Sequence, residues 1–317
     1  MKKCIFYLSI LFILFCAVGC KNGTEQNINK DYLYTVTNAA GNNLSFQHSP
    51  QRIVSYSIST DEILLDMLSP DRIIAVTHFA DDPMISNVSD KCKLVPYRVN
   101  STSAETIMSW NPDLIIVPDF IKPEIIQTLQ DLKLKVYVYK TPHTIKEVKE
   151  VIKNIAALTG DDAAAHPLIE NMDKRLKIVE EKLKNLSISE QKRVAFMRDD
   201  GVYYSDKTSF RDVCQYAKVY DVTKDIKYSG SGHLTQEELV RLNPDIFIIA
   251  DWNYDGNHYT ENMKHSILSN PAYENTGAGR DRNVIALKGA NILCVSQYMA
   301  DAVVEMAEKV YPERFDK

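Results

Sequence analysis

Two fourteen-residue segments of this chain read as copies of each other, and that repetition constrains the fold more than any single motif does. Ala104-Glu105-Thr106-Ile107-Met108-Ser109-Trp110-Asn111-Pro112-Asp113-Leu114-Ile115-Ile116-Val117 aligns without gaps to Gln236-Glu237-Glu238-Leu239-Val240-Arg241-Leu242-Asn243-Pro244-Asp245-Ile246-Phe247-Ile248-Ile249. Glu, Asn-Pro-Asp and one Ile coincide, and nearly every other apolar position meets an apolar partner. Each copy is expected to form a short helix, a turn and a buried strand. Proline disfavours helix in the residue before it, and the apolar run that follows is strand-length. Two such units imply two related halves; a chance likeness between Asn-Pro-Asp turns is the blander alternative.

The rest of the chain agrees with that division. Short apolar runs at 53–56, 73–76, 114–117 and 136–139 alternate with helix-period segments, and a second series runs through 194–197, 246–249 and 284–287. Such alternation predicts an α/β fold with mainly parallel sheets covered by helices. Residues 32–37 and 44–47 flank the turn-forming Ala40-Gly41-Asn42-Asn43, which predicts a hairpin. Ser59 with Glu62, and Thr144 with Glu147, fit capping boxes. Between Ala163 and Leu186, apolar residues recur at steps of three and four from Leu168 onward, predicting one helix of about 35 Å. Pro167 is tolerable there only in the opening turn. The expected organisation is an N-terminal lobe at 32–160, a linking helix within 161–190 and a C-terminal lobe at 191–317. A helix inside one continuous domain is the alternative.

The first nineteen residues have a basic start at Lys2 and Lys3, an apolar stretch, and Gly19 directly before Cys20. This is the pattern of a secretory signal. Ala17-Val18-Gly19-Cys20 resembles the lipobox of lipoproteins, with Ala17 where Leu is usual. Cys20 would then carry acyl chains that hold the protein to a membrane surface, with residues 20–31 as a polar tether. An ordinary secreted protein is the alternative. Removing residues 1–19 deletes two of the 37 basic residues, leaving 35 against 42 acidic, a formal charge of −7. That balance argues against nucleic acid or anionic lipid as a general partner. Cys92, Cys214 and Cys294 remain, so an oxidising compartment allows at most one internal disulfide, with Cys214–Cys294 the candidate pair. Three buried free thiols is the stronger reading.

Glu105 and Glu237 occupy the same place in the two copies, and neither is needed for an apolar stripe. Paired carboxylates on a two-lobed body could dock onto basic residues of a two-fold symmetric partner. Each alone could equally complement its helix dipole.

Several stretches together resemble a known family. They are Ser49-Pro50-Gln51-Arg52-Ile53-Val54-Ser55-Tyr56-Ser57, Asp61-Glu62-Ile63-Leu64, Asp71-Arg72-Ile73-Ile74-Ala75-Val76, the two Asn-Pro-Asp segments and Asp281-Arg282-Asn283-Val284-Ile285-Ala286-Leu287. In combination and order, over about residues 35–315, they are similar to the periplasmic binding proteins of cobalamin, ferric-siderophore and haem importers. The resemblance implies two Rossmann-like lobes joined by a single long α-helix, a ligand in the cleft and an ABC permease as partner. It also implies that Glu105 and Glu237 engage permease arginines, and that the chain is a monomeric envelope lipoprotein without cofactor or resident metal. The transported ligand would be a metal chelate, with ferric siderophore or haem favoured over a corrinoid.

In open α/β sheets ligands lie beyond the carboxyl ends of the strands. The loops so placed carry Tyr56 and Ser57, then Thr77, His78 and Phe79, then Asp119 and Phe120. In the second half they carry Arg198 and Tyr203, then Asp251, Trp252, Asn253 and Tyr254, then Ala290 and Asn291. Aromatics suit a large planar or macrocyclic ligand, and Trp252 is the leading candidate. His78, Tyr203, Tyr204 or Tyr254 could ligate a haem iron, though a lone pocket-wall role is the commoner fate of each. Arg198 could pair with ligand carboxylates unless Asp199 and Asp200 neutralise it. The chain lacks G-x-S-x-G, a P-loop and H-E-x-x-H, which weighs against a cleft enzyme. Its seven scattered histidines weigh against a zinc or manganese receptor. A ligand sensor on the same fold stays open.

Overall fold

The structure is a computed structural model that describes residues 33–38, 41–227, 230–252 and 258–316. The signal segment, the tether, Cys20, Asn253 and Tyr254 lie outside the described residues. An antiparallel hairpin opens the fold, with β1 (Tyr34–Thr37) on β2 (Asn43–Phe46). Five parallel strands follow: β3 (Ile53–Ser55), β4 (Ile73–Thr77), β5 (Tyr97–Val99), β6 (Leu114–Pro118) and β7 (Val136–Tyr139), in the order β5-β4-β3-β6-β7. Every residue of β3, β4 and β6 is buried, as expected of strands covered on both faces.

The second half builds its own sheet. Here β8 (Arg193–Phe196), β10 (Tyr220–Asp221), β12 (Ile246–Asp251) and β13 (Val284–Lys288) run parallel in the order β10-β8-β12-β13. A small antiparallel pair, β9 (Tyr203–Ser205) and β11 (Ser231–His233), stands beside it. The two Asn-Pro-Asp turns therefore serve separate sheets, one per lobe.

The repeat is realised atom by atom. Helix Ala104–Ser109 leads to β6, and helix Gln236–Leu242 leads to β12. Asn111 and Asn243 both take positive φ, at 53° and 46°, a conformation that asparagine tolerates after a helix end. The Asp113 carboxylate accepts from the backbone N–H of Gln51 and Arg52, and Asp245 accepts from that of Arg193. Arg52 in turn donates to the Trp110 carbonyl, and Arg193 to the equivalent Leu242 carbonyl. Each Asn-Pro-Asp turn thus clamps the entrance of its lobe's central strand, which fixes register: Ile53 pairs with Leu114, and Val194 with Ile246.

The helix between the lobes spans Ala165–Lys182, after a single 3₁₀ turn at Asp162–Ala164. Its 18 residues make about 27 Å, shorter than the apolar spacing suggested. Leu183 and Leu186 continue the stripe from a turn and still pack on the core, so spacing alone overran the helix. Met172, Val179 and Leu183 join one cluster with Leu64 and Ile152 of the first lobe and Val194 and Met306 of the second.

Two local details differ from expectation. The helix Ile58–Met67 is capped by Ser57, whose hydroxyl accepts from the Thr60 N–H, and not by Ser59. Glu62 is consequently free of capping and turns inward, wholly buried. Thr144 does cap helix Ile145–Leu158, but the Glu147 carboxylate reaches the His143 N–H. No helix among the described residues is long and apolar enough to cross a membrane.

Cys92, Cys214 and Cys294 are buried free thiols, so the candidate Cys214–Cys294 pair is not formed. Burial pushes the Cys92 thiol up to about 11 and the other two well above the usual range. Thiolate is the reactive form. Native mature protein should therefore leave these three thiols unreacted with Ellman's reagent for hours and release all three in guanidinium; rapid native labelling of any one would contradict this packing.

Candidate functional site

Strand order reverses direction between β3 and β6 in one sheet and between β8 and β12 in the other. Such reversals open a crevice at the carboxyl ends of the two strands. The residues directly beyond those four strands are Tyr56 and Ser57, Asp119 and Phe120, Met197 and Arg198, and Trp252.

A chamber of about 260 Å³ sits in this region, walled by Phe196, Arg198, Val202, Tyr203, Phe210, Ile292 and Leu293 of the second lobe. His143, beyond β7, comes to it from the first lobe. Phe196 and Phe210 stack with centroids 4.9 Å apart, giving one wall a flat apolar surface. The volume falls just below the usual ~300–1,000 Å³ of ligand pockets. Two exposed aromatics of the first lobe, Phe79 at 46% and Phe120 at 67%, follow β4 and β6 but do not line the chamber. The His78 ring lies 4.0 Å from that of Phe79, with Nδ1 3.4 Å from the Val99 carbonyl.

Charge in the chamber is locally balanced. Arg198 Nε lies 3.7 Å from an Asp200 oxygen, and the other Asp200 oxygen lies 3.6 Å from His233 Nε2. The tempering of Arg198 by a neighbouring aspartate is thus present. Tyr203 leans edge-on to His233 at 5.5 Å and is 37% exposed. Burial raises the Tyr56 hydroxyl to about 12, so it stays a neutral donor at physiological pH.

The strand-end rule brought only Arg198 and Tyr203 into the chamber. Ser57, Thr77 and Asn291 are buried and committed inside the protein. Ser57 caps its helix and bonds the Tyr139 hydroxyl at 2.8 Å, Thr77 donates to Asp61, and Asn291 donates to Glu305 at 3.3 Å. Asp119 accepts from the Thr141 N–H and hydroxyl, tying the loops after β6 and β7 together. The Asp251 carboxylate accepts from the Thr260 hydroxyl, which also receives the Trp252 N–H and so holds the ends of the loop after β12. Ala290 is wholly buried. Phe196 and His143 were missed, although extending the rule to the last residue of β8 and to the loop after β7 would have found them; Phe210, on helix Ser209–Tyr216, gave no signal.

Glu105 and Glu237 are both exposed, each in the first turn of its helix. In the second copy Thr235 and Glu238 complete the capping box, which leaves Glu237 free of that duty. Glu105 is held below the usual carboxylate range by its own backbone N–H and by Ser103. Both side chains are open to solvent.

With this geometry in view, residues 53–290 match the profile of a family described as "Periplasmic binding protein". The chain is 23% identical, over 99% of both sequences, to an uncharacterized ABC transporter substrate-binding lipoprotein, YvrC, of Bacillus subtilis. A cobalamin-binding protein of Halobacterium salinarum is 19% identical, over 86% of this chain and 73% of that one. Among solved structures, the periplasmic heme-binding protein RhuT from Roseiflexus sp. RS-1, in apo form, superposes with a TM-score of 0.70 at 19% identity, covering 83% of this chain and 99% of that one.

Proposed function

The chain belongs to the periplasmic binding protein family, and we propose that it is the lipid-anchored receptor that delivers a metal chelate, a ferric siderophore or haem, to an ABC importer. The observation that carries this reading is the pairing of two repeated lobes, each with an exposed glutamate at the same helix position, around strand ends rich in aromatic surface. Tyr203, Phe196 and Phe210 would cover a planar face, with Trp252, Phe79 and Phe120 extending the contact and Arg198 facing polar substituents. Tyr56 and His78 would border the guest from the first lobe. Cys20 would carry the anchor, with the lobes at 32–160 and 191–317 standing clear of the membrane on the 20–31 tether. A monomer suffices, because both docking glutamates are on one chain.

A corrinoid is the second reading, favoured by the likeness to a cobalamin-binding protein. Thermal-shift measurements on the mature protein with haemin, cyanocobalamin and a ferric tricatecholate separate the two. Free ligand at 100 times its dissociation constant should stabilise by about 2.7 kcal/mol. A shift with none of the three would sink the receptor reading, and a shift with cyanocobalamin alone would select the corrinoid.

A further inference from the structure

Resting on the receptor reading, we infer that Glu62 is a positioning residue: it pins the ligand-facing loop of the second lobe to the first helix of the first lobe, coupling cleft occupancy to the interlobe angle. Glu62 lies on helix Ile58–Met67 and is wholly buried. One oxygen accepts from the Ser296 hydroxyl and from Cys294 Sγ at 2.9 Å, both in the second lobe. The other accepts from the Asn87 backbone N–H at 2.8 Å and its side-chain amide at 3.1 Å. All of these donors are neutral groups, and the carboxylate spans the joint between lobes, where a salt bridge would be the commoner bond.

What makes the pin a relay is its distance along the chain from the chamber. Ile292 and Leu293 line the chamber, and Cys294, the next residue, touches Glu62. The loop is further held by the Asn87 amide, which donates to the Ala290 carbonyl at 3.2 Å, while Lys288 Nζ donates to Asn87 at 2.7 Å. A guest that displaces Leu293 therefore moves a bond that sets how the lobes sit. On the other flank, the Ile145 N–H donates to Asp212 at 2.7 Å, and beside the pin Gln297 and Tyr298 both donate to Asp66 at 2.8 Å, so interlobe bonds lie on both flanks of the joint.

The test uses the mature protein with Ser109→Cys and Arg241→Cys, exposed positions matched in the two repeats, carrying nitroxides for pulsed-EPR distances. Ligand-free protein with Glu62 intact should give one narrow distance distribution. Glu62→Leu should broaden it and weaken affinity for haemin, cyanocobalamin or a ferric tricatecholate, whichever binds, by about tenfold. Glu62→Gln, which can accept from Asn87 and donate to Ser296, should keep both near the parent values. Should Glu62→Leu fail to fold, Ser296→Ala removes one bond from the other lobe and should broaden the distribution to a lesser degree. Unchanged distances and unchanged affinity in Glu62→Leu, or in Ser296→Ala where it stands in, would overturn the pin. Failure of all three probes to bind the parent would instead sink the receptor reading, while the ligand-free distances would still decide the pin.

Discussion

Reversing both repeat glutamates, Glu105→Lys with Glu237→Lys, should cut chelate uptake in cells by about 100-fold or more while leaving ligand affinity of the purified protein within about twofold. The reasoning is electrostatic. Each carboxylate is exposed at a helix start, so neither supports the core or lines the chamber. Opposed to basic groups on a two-fold symmetric partner, each reversal replaces attraction by like-charge contact, which costs several kcal/mol at a close interface. Two such sites exceed the roughly 2.8 kcal/mol that a 100-fold loss requires. Single reversals should each produce a smaller loss, since one carboxylate would remain to dock. Full uptake by the double variant would remove the docking role and return both residues to helix-dipole complements.

The repeat that exposed those glutamates was legible because it is enforced by backbone chemistry. Asp113 accepts two backbone N–H groups and Asp245 one at the entrance of a central strand, and a turn that does so tolerates few alternatives. Strands β3, β4, β6 and β12 were legible for the same kind of reason, being buried on both faces and so mostly apolar, whereas the short, partly exposed β5, β9, β10 and β11 gave no apolar run to read. What stayed hidden depends on which face meets the other lobe. Glu62 shares a helix with apolar Ile63 and Leu64, and its spacing from Ser59 imitates a cap, so its neutral interlobe partners could not be foreseen. Ser57, Thr77 and Asn291 obey the strand-end rule in position but not in direction, because that rule locates a loop and says nothing of which way its side chains turn. Phe210 reaches the chamber from a helix, outside the rule altogether.

Phe247→Ala should destabilise the protein by about 3–5 kcal/mol and do so in a single cooperative transition. Phe247 is wholly buried in β12 and lies 5.4 Å from the Tyr273 ring. The two faces of its strand serve different cores. Phe247 and Ile249 enter a cluster confined to the second lobe, whereas Ile246 and Ile248 enter the cluster shared with the linking helix and the first lobe. A cavity on the private face loosens a strand whose other face holds the molecule together, so the damage cannot stay in one lobe. With Trp252→Phe as background, Trp110 fluorescence reports the first lobe, and its guanidinium midpoint should fall together with that of far-UV circular dichroism. Coincident midpoints would mean that the shared core transmits stability between lobes, which is also why the cleft should close only slightly around its guest. Separation of the two midpoints, with Trp110 holding its original value, would mean that the lobes melt independently and that the linking helix is a tether instead of a brace.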